Sequence, residues 1–167
     1  MPQLLLLPLK FALVGVVSLP TPQIAPPQQL PLQKVLSVDA ALTIAHAALD
    51  KCYADGYRVS LTILDNSGLI KVQVRGDGTG PHTLEHSRRK AYTALTFKRT
   101  SAETAKAWAS SPTPPPVIEG TVAAAGGVPI KAGNEVIGAI GVSGAPGGEK
   151  DEACAAAGIS KIADLLK

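Results

Sequence analysis

From Val38 to Cys52 apolar residues recur every three or four positions, at Val38, Leu42, Ala45, Leu49 and Cys52. Ser37 is placed to cap the first turn and Gly56 to close the last. That spacing predicts a helix through Asp55 with these five residues on its buried stripe. The pattern then changes to strict alternation. Val59, Leu61 and Ile63 alternate with Ser60 and Thr62, and Ile70, Val72 and Val74 alternate with Lys71, Gln73 and Arg75, across the turn Asp65-Asn66-Ser67-Gly68. Residues 58–75 therefore read as an antiparallel hairpin with one polar face. Helical spacing returns from Thr83 to Phe97, with Leu84, Ala91, Ala94 and Leu95 inward, and Thr100 with Glu103 makes a capping box for a short helix ending near Ser110.

Pro112, Pro114, Pro115 and Pro116 exclude a central strand or helix interior, so residues 110–120 read as an ordered detour or a flexible flap. Two extended runs follow, Thr121 to Ala125 and Val128 to Ile130, on either side of Gly126-Gly127. Gly133-Asn134 turns the chain into a β-branched strand from Val136 to Ser143. Gly138 and Gly141 inside that strand mark a close approach by a helix, a ligand or a second subunit. A last helix runs from Asp151 to Leu166, with Ala155, Ile159, Ile162 and Leu166 on one face. The order is helix, hairpin, helix, helix, hairpin, helix. Strands paired locally, with helices gathered against one antiparallel sheet of about five strands, make an α+β domain.

The glycine-rich stretch after that strand invites a phosphate-binding reading, and its spacing refuses it. The G-x-G-x-x-G frame has Val142 where the first glycine belongs. A phosphate loop starting at Gly144 would need glycine at Glu149 and Ser or Thr at Asp151. Glu149, Asp151 and Glu152 also repel an anion and instead complement the positive end of the helix they begin.

Composition narrows the picture further. The 167 residues are 46% hydrophobic and 17% charged, enough for one globular core, while aromatics are only 4%, so Ala, Val, Ile and Leu must build it. The net charge of +3 owes much to Arg88-Arg89-Lys90, which lacks the interleaved aromatics of a nucleic-acid surface. Residues 1–34 differ in character: a leucine-rich start, Lys10, an apolar run from Phe11 to Leu19, then a proline-rich tether from Pro20 to Pro31. Lys10, the apolar run and Ser18 supply a version of a secretory signal, and Pro8 and Lys10 spoil the stretch as a membrane span. The expectation is an exported domain over residues 35–167, periplasmic or extracellular. If the true start lies near Val35, the domain is cytoplasmic. Cys52 and Cys154 are two buried hydrophobes, or a pair if the first and last helices lie side by side.

Five segments carry a resemblance: LDNSG at 64–68, RGDG at 75–78, RKAYTA at 89–94, GGVPI at 126–130 and VIGAIGVSG at 136–144. In this order and spacing they resemble the GlcG/HbpS family of haem-binding or haem-degrading-like proteins, which includes the C-terminal domain of PduO. The resemblance covers about residues 37–167. It implies a profilin-like α/β sandwich that assembles into a closed homo-oligomer, often an octamer. It also implies a small-molecule ligand: haem, with haem breakdown as an extension of binding, or a small carboxylate taken by a non-enzymatic accessory of a glycolate-like catabolic pathway.

Haem needs an apolar slot, cations for its propionates and often an axial ligand. His46 borders the first helix's stripe and serves as ligand or as packing residue. His82 and His86, four apart, share one face of a helical turn, either as metal or haem ligands or as a cap and a solvated side chain. Arg75, Asp77 and Lys90 fall in the RGDG and RKA segments, where a charged loop beside a lysine can hold a carboxylate. Gly126 and Gly127 let a ligand approach the backbone or shape a bulge. Ser143 lacks the surroundings of a hydrolase nucleophile.

Overall fold

The computed structural model describes residues 29–113 and 118–167. The leader up to residue 28 and the prolines at 114–116 lie outside the described residues. The chain divides into Met1–Leu32 and a compact unit Gln33–Lys167, to which everything below refers.

That unit runs α1 (Val38–Ala54), β1 (Ser60–Asp65), β2 (Ile70–Val74), α2 (Thr83–Phe97), α3 (Ser101–Ala109), β3 (Gly127–Ala132), β4 (Glu135–Ser143), α4 (Gly148–Ser160) and a 3-10 turn (Ala163–Leu166). Ser37 caps α1 by accepting from the Ala40 N–H, and Thr100 and Glu103 complete the expected capping box on α3. The strands form one antiparallel sheet in the order β2-β1-β4-β3. The architecture is α+β, with four strands rather than five among the described residues. The missing strand is Thr121 to Ala125. Its backbone meets a side chain rather than a ladder: the Val122 N–H donates to Thr93 Oγ1 at 2.9 Å.

Register distributes the strands' side chains between two layers. Leu61 stands opposite Val142 and Ile63 opposite Ile140, and these face α1 and α4 in a core with Ile44, Ala48, Ile130 and Ala155. Ser60 stands opposite Ser143, Thr62 opposite Gly141 and Leu64 opposite Ala139, and these face α2. Gly141 answers the question of close approach, since a Cβ there would lie 2.0 Å from the Ser87 carbonyl oxygen of α2.

The buried face of α1 is rotated from the expected one. Val38 and Leu42 are 53% and 42% exposed, whereas Ala41, Ile44, Ala45, Ala48 and Cys52 are buried. The reason is the neighbour: a Cβ on Gly158 of α4 would lie 2.6 Å from the Ile44 carbonyl oxygen, so the helix presents its small residues where α4 comes closest. The two helices lie side by side, and Cys52 and Cys154 form a disulfide between them. The last helix starts earlier than expected, at Gly148, and ends at Ser160. There, 3-10-type bonds to Gly158 and Ile159 tighten the chain into the final turn, and the Leu166 carbonyl accepts from the Gly133 N–H.

Candidate functional site

The first turns of α2 place His82, His86 and Lys90 at four-residue intervals, one above the other on a single helix face. That face forms one wall of an open cleft of about 760 Å3, a volume within the usual range of small-molecule sites. Ala124, Ala125, Ala145 and Pro146 make a largely apolar opposite wall, Tyr57 and Arg58 stand at its margin, and Ser143 ends β4 within it. The Arg58 guanidinium lies over the Tyr53 ring at 5.3 Å, a cation–π contact that leaves its donors free to meet an anion.

Hydroxyls fix the α2 wall to the sheet. Ser60 and Thr83 oxygens lie 2.8 Å apart, Thr62 and Ser87 oxygens 2.8 Å apart, and Ser60 Oγ also lies 3.2 Å from Thr79 Oγ1 in the loop leading into the helix. Such a layer is stable only because each buried hydroxyl has a partner. Deeper still, Lys90 Nζ donates to Asp151 Oδ2 at 2.7 Å and to the Val142 carbonyl at 3.1 Å, while Asp151 Oδ1 accepts from the Ala145 N–H. Both side chains are 3% exposed. Burial pushes the Asp151 carboxyl above its ordinary value, against the pull of Lys90 and the Ala145 N–H.

The ion pair explains the glycines. A Cβ on Gly126 would come within 2.9 Å of Lys90 Nζ and 2.8 Å of Asp151 Cβ, and one on Gly127 would meet the Lys90 carbonyl oxygen at 2.1 Å. Both glycines are buried beneath the cleft wall, giving clearance to Lys90. Of the residues singled out in the sequence, the cleft gathers His82, His86 and Lys90. Arg75 and Asp77 are exposed on the loop after β2 and do not line it, and His46 is exposed on α1, away from it. Tyr57, Arg58, Ser143 and Asp151 are residues the sequence did not single out as members. Arg88 and Arg89 both pair with Glu85, whose carboxyl they hold at about 2, so the basic run spends its charge within the domain.

His86 is the part-buried imidazole of the cleft. Its Nδ1 lies 3.3 Å from Ser143 Oγ. Burial above all, and then the charges of Lys90, His82 and Arg89, lower its pKa below the ordinary value, favouring the neutral ring. His82 is exposed at the helix N-cap position and makes no capping bond. A second cleft of about 870 Å3 lies at the other end of the sheet, between the hairpin turns and Tyr92, with Lys34, Lys98 and Glu135 at its edge and no imidazole. No described helix is long and apolar enough to cross a membrane.

A macrocycle with iron at its centre and carboxylates on one edge would ask the first cleft for an apolar wall, a neutral nitrogen and a cation at the margin. The alanine and proline wall, His86 and Arg58 supply those three. The donor set fits.

Comparison with known proteins identifies the family and the fold. The profile of the family described as "Haem degrading protein HbpS-like" matches residues 36–160. The structure of a double mutant of HbpS from Streptomyces reticuli is 36% identical, with a TM-score of 0.76 over 87% of this chain and 99% of that one. Protein ORFY of Klebsiella pneumoniae is 23% identical, with a TM-score of 0.73 over 81% of this chain and 97% of that one. A complex of PduOC with haem is 22% identical, with a TM-score of 0.68 over 76% and 94%. The latter two show likeness of fold. Among curated proteins no match is found.

Proposed function

We propose, from the premise that the chain belongs to the GlcG/HbpS family, that it binds haem in the cleft between α2 and the β4–α4 loop. The single observation that carries this reading is the cleft itself: the part-buried imidazole of His86 on one wall, alanines and a proline on the other, and Arg58 at the margin. In it the apolar wall takes a face of the macrocycle, a histidine holds the iron, and the Arg58 guanidinium meets a propionate. Bound iron supplies redox and oxygen chemistry there, so haem breakdown is the natural extension. The chain's own part is to bind and orient the group. Titration of the purified protein with hemin tests the reading. A saturable Soret shift is expected, weakened by Arg58→Ala, and no saturable shift would end it.

The small-carboxylate reading needs Arg75 and Lys90 to act on one ligand. Lys90 is engaged by Asp151 and the Val142 carbonyl, and Arg75 stands outside the cleft, so no geometry joins them. Haem is therefore the reading to test first.

Export and assembly belong to the same proposal. A disulfide between Cys52 and Cys154 suits an oxidising compartment. Val35, Val38 and Leu42, with Leu69 and Ile70 at the sheet edge, are large apolar side chains left exposed on the protomer, and a closed homo-oligomer would cover such residues. Light scattering on residues 35–167 checks the assembly, with a multimer expected and a monomer mass at micromolar concentration refuting it.

A further inference from the structure

The chain carries three histidines, and geometry separates them. His46 is exposed on α1 and does not line the cleft. His82 lines the cleft but is exposed, and nothing among the described residues fixes its ring by a hydrogen bond. His86 lines the cleft and is held: its Nδ1 lies 3.3 Å from the hydroxyl of Ser143, a buried residue at the end of β4. Its Nε2 makes no hydrogen bond among the described residues. An imidazole binds a metal through one nitrogen while the other is fixed by a hydrogen bond, and that outer bond sets both tautomer and ring angle. The Ser143 hydroxyl is positioned for that role, because the β1 ladder holds β4 as far as Ser143 itself, opposite Ser60, and the β3 ladder holds it as far as Gly141.

We propose that His86 Nε2 is the iron ligand of the cleft and that Ser143 is its positioning residue, accepting a hydrogen bond from Nδ1–H so that the Nε2 lone pair is presented to the iron. His82, four residues earlier, is a bystander. The inference rests on the haem reading above, and the test below separates the two.

The probes are hemin and metal-free protoporphyrin IX, titrated into the purified protein, with Soret position and electron paramagnetic resonance as readouts. Metal-free porphyrin measures the slot without the ligand bond. His86→Ala should weaken hemin binding at least about tenfold and leave metal-free porphyrin within about twofold, and added imidazole should restore the wild-type spectrum. His86→Gln, which keeps a polar side chain of similar length, should behave the same way and guards against a folding failure of the alanine variant. Ser143→Ala should weaken hemin by about tenfold, the lower end of what loss of an outer hydrogen bond costs a metal site, with Ser143→Thr restoring it. His82→Ala should leave the spectrum unchanged. If the wild type binds hemin and both His86 variants keep its Soret position and affinity, the ligand assignment is overturned while haem binding stands. Equal weakening of both porphyrins overturns it too, making His86 a packing residue. If the wild type binds neither porphyrin, the haem reading and this inference fall together.

Discussion

On the side of the sheet covered by α1 and α4, Leu61, Ile63, Ile130, Ile140 and Val142 meet alanines, Ile44 and the Cys52–Cys154 disulfide. On the side covered by α2, the same strands present Ser60, Thr62, Ala139, Gly141 and Ser143. The first layer is held by apolar area removed from water, which is non-directional and forgiving of shape. The second is held by close backbone approach and hydroxyl pairs, which are directional and fail if a partner is lost. A polar layer that must be satisfied everywhere is also one that can end in a chemically equipped opening. The cleft lies where this layer reaches the ends of β1 and β4, with His86 and the Lys90–Asp151 pair as its last members.

The largest effect should come from breaking the polar layer at its charges. Lys90→Ala leaves the Asp151 carboxylate buried without its cation, a loss that typically costs about 3–5 kcal/mol. Replacing both partners together, as Lys90→Met with Asp151→Leu, should recover much of that cost, because an ion pair swapped for apolar groups is often nearly neutral. Urea denaturation of the single and double variants measures the coupling. A single variant within about 0.5 kcal/mol of wild type would mean that the pair is not buried as described. On the opposite face, Ile140→Ala removes apolar volume from a side chain with no exposed surface and should cost about 2–5 kcal/mol. That loss should leave hemin affinity unchanged, whereas changes beside the cleft should not. A smaller effect is expected at Thr62→Val, which deletes the hydroxyl paired with Ser87 and contacted by Gln73 at a cost of about 1 kcal/mol. If Ile140→Ala and Thr62→Val cost the same, the two layers do not differ in the way their side chains suggest.

The sequence showed the apolar layer's strands more readily than the polar layer's joins. Alternation placed Leu61 and Ile63 on one face, and turn chemistry placed the hairpin. The capping box located α3, because these signals are local. The stripe on α1 misled: Val38 and Leu42 have the right period but lie outward, since the side that meets α4 needs small residues and hydrophobicity alone does not encode that need. The run Thr121 to Ala125 looked extended and does not join the sheet, because its backbone is tied to Thr93 rather than to a strand. In the cleft, the pairing of His82 and His86 on one helical turn was legible from their spacing, while Lys90, one turn further on the same face, was read as a partner of Arg75. Asp151 was not. It carries the marks of a helix-starting acid, and its buried partner lies 61 residues away. Arg75 and Lys90 looked like two members of one anion site by motif proximity, and the fold sends one to solvent and the other inward.

The smallest effect is one of pH, and it tests whether titratable chemistry is confined to the α2 side. Glu152 lies at the edge of that layer, beside Ala102 and Ala125, with its Oε2 lacking a partner among the described residues. Burial raises its carboxyl above the ordinary value and Glu103 adds to this, while the Gly126 N–H and Lys90 pull it down. A carboxyl whose folded value is raised binds its proton more tightly in the native state, so its ionisation costs stability as pH rises through that value. The cost disappears as pH falls toward the unfolded value of about 4.3. Glu152→Gln should therefore be more stable than wild type at pH 7, and the advantage should shrink steadily on acidification to pH 4. Ile140→Val, buried on the apolar face with no ionising group of its own, should cost about 1 kcal/mol at either pH. Thermal melts of both variants and wild type across pH 4–7 give the two difference curves. A sloping curve for Glu152→Gln beside a flat one for Ile140→Val is the expected pattern. Two flat curves would mean that the Glu152 carboxylate is solvated and that the α2 side is wetter at this edge than its hydrogen bonds imply.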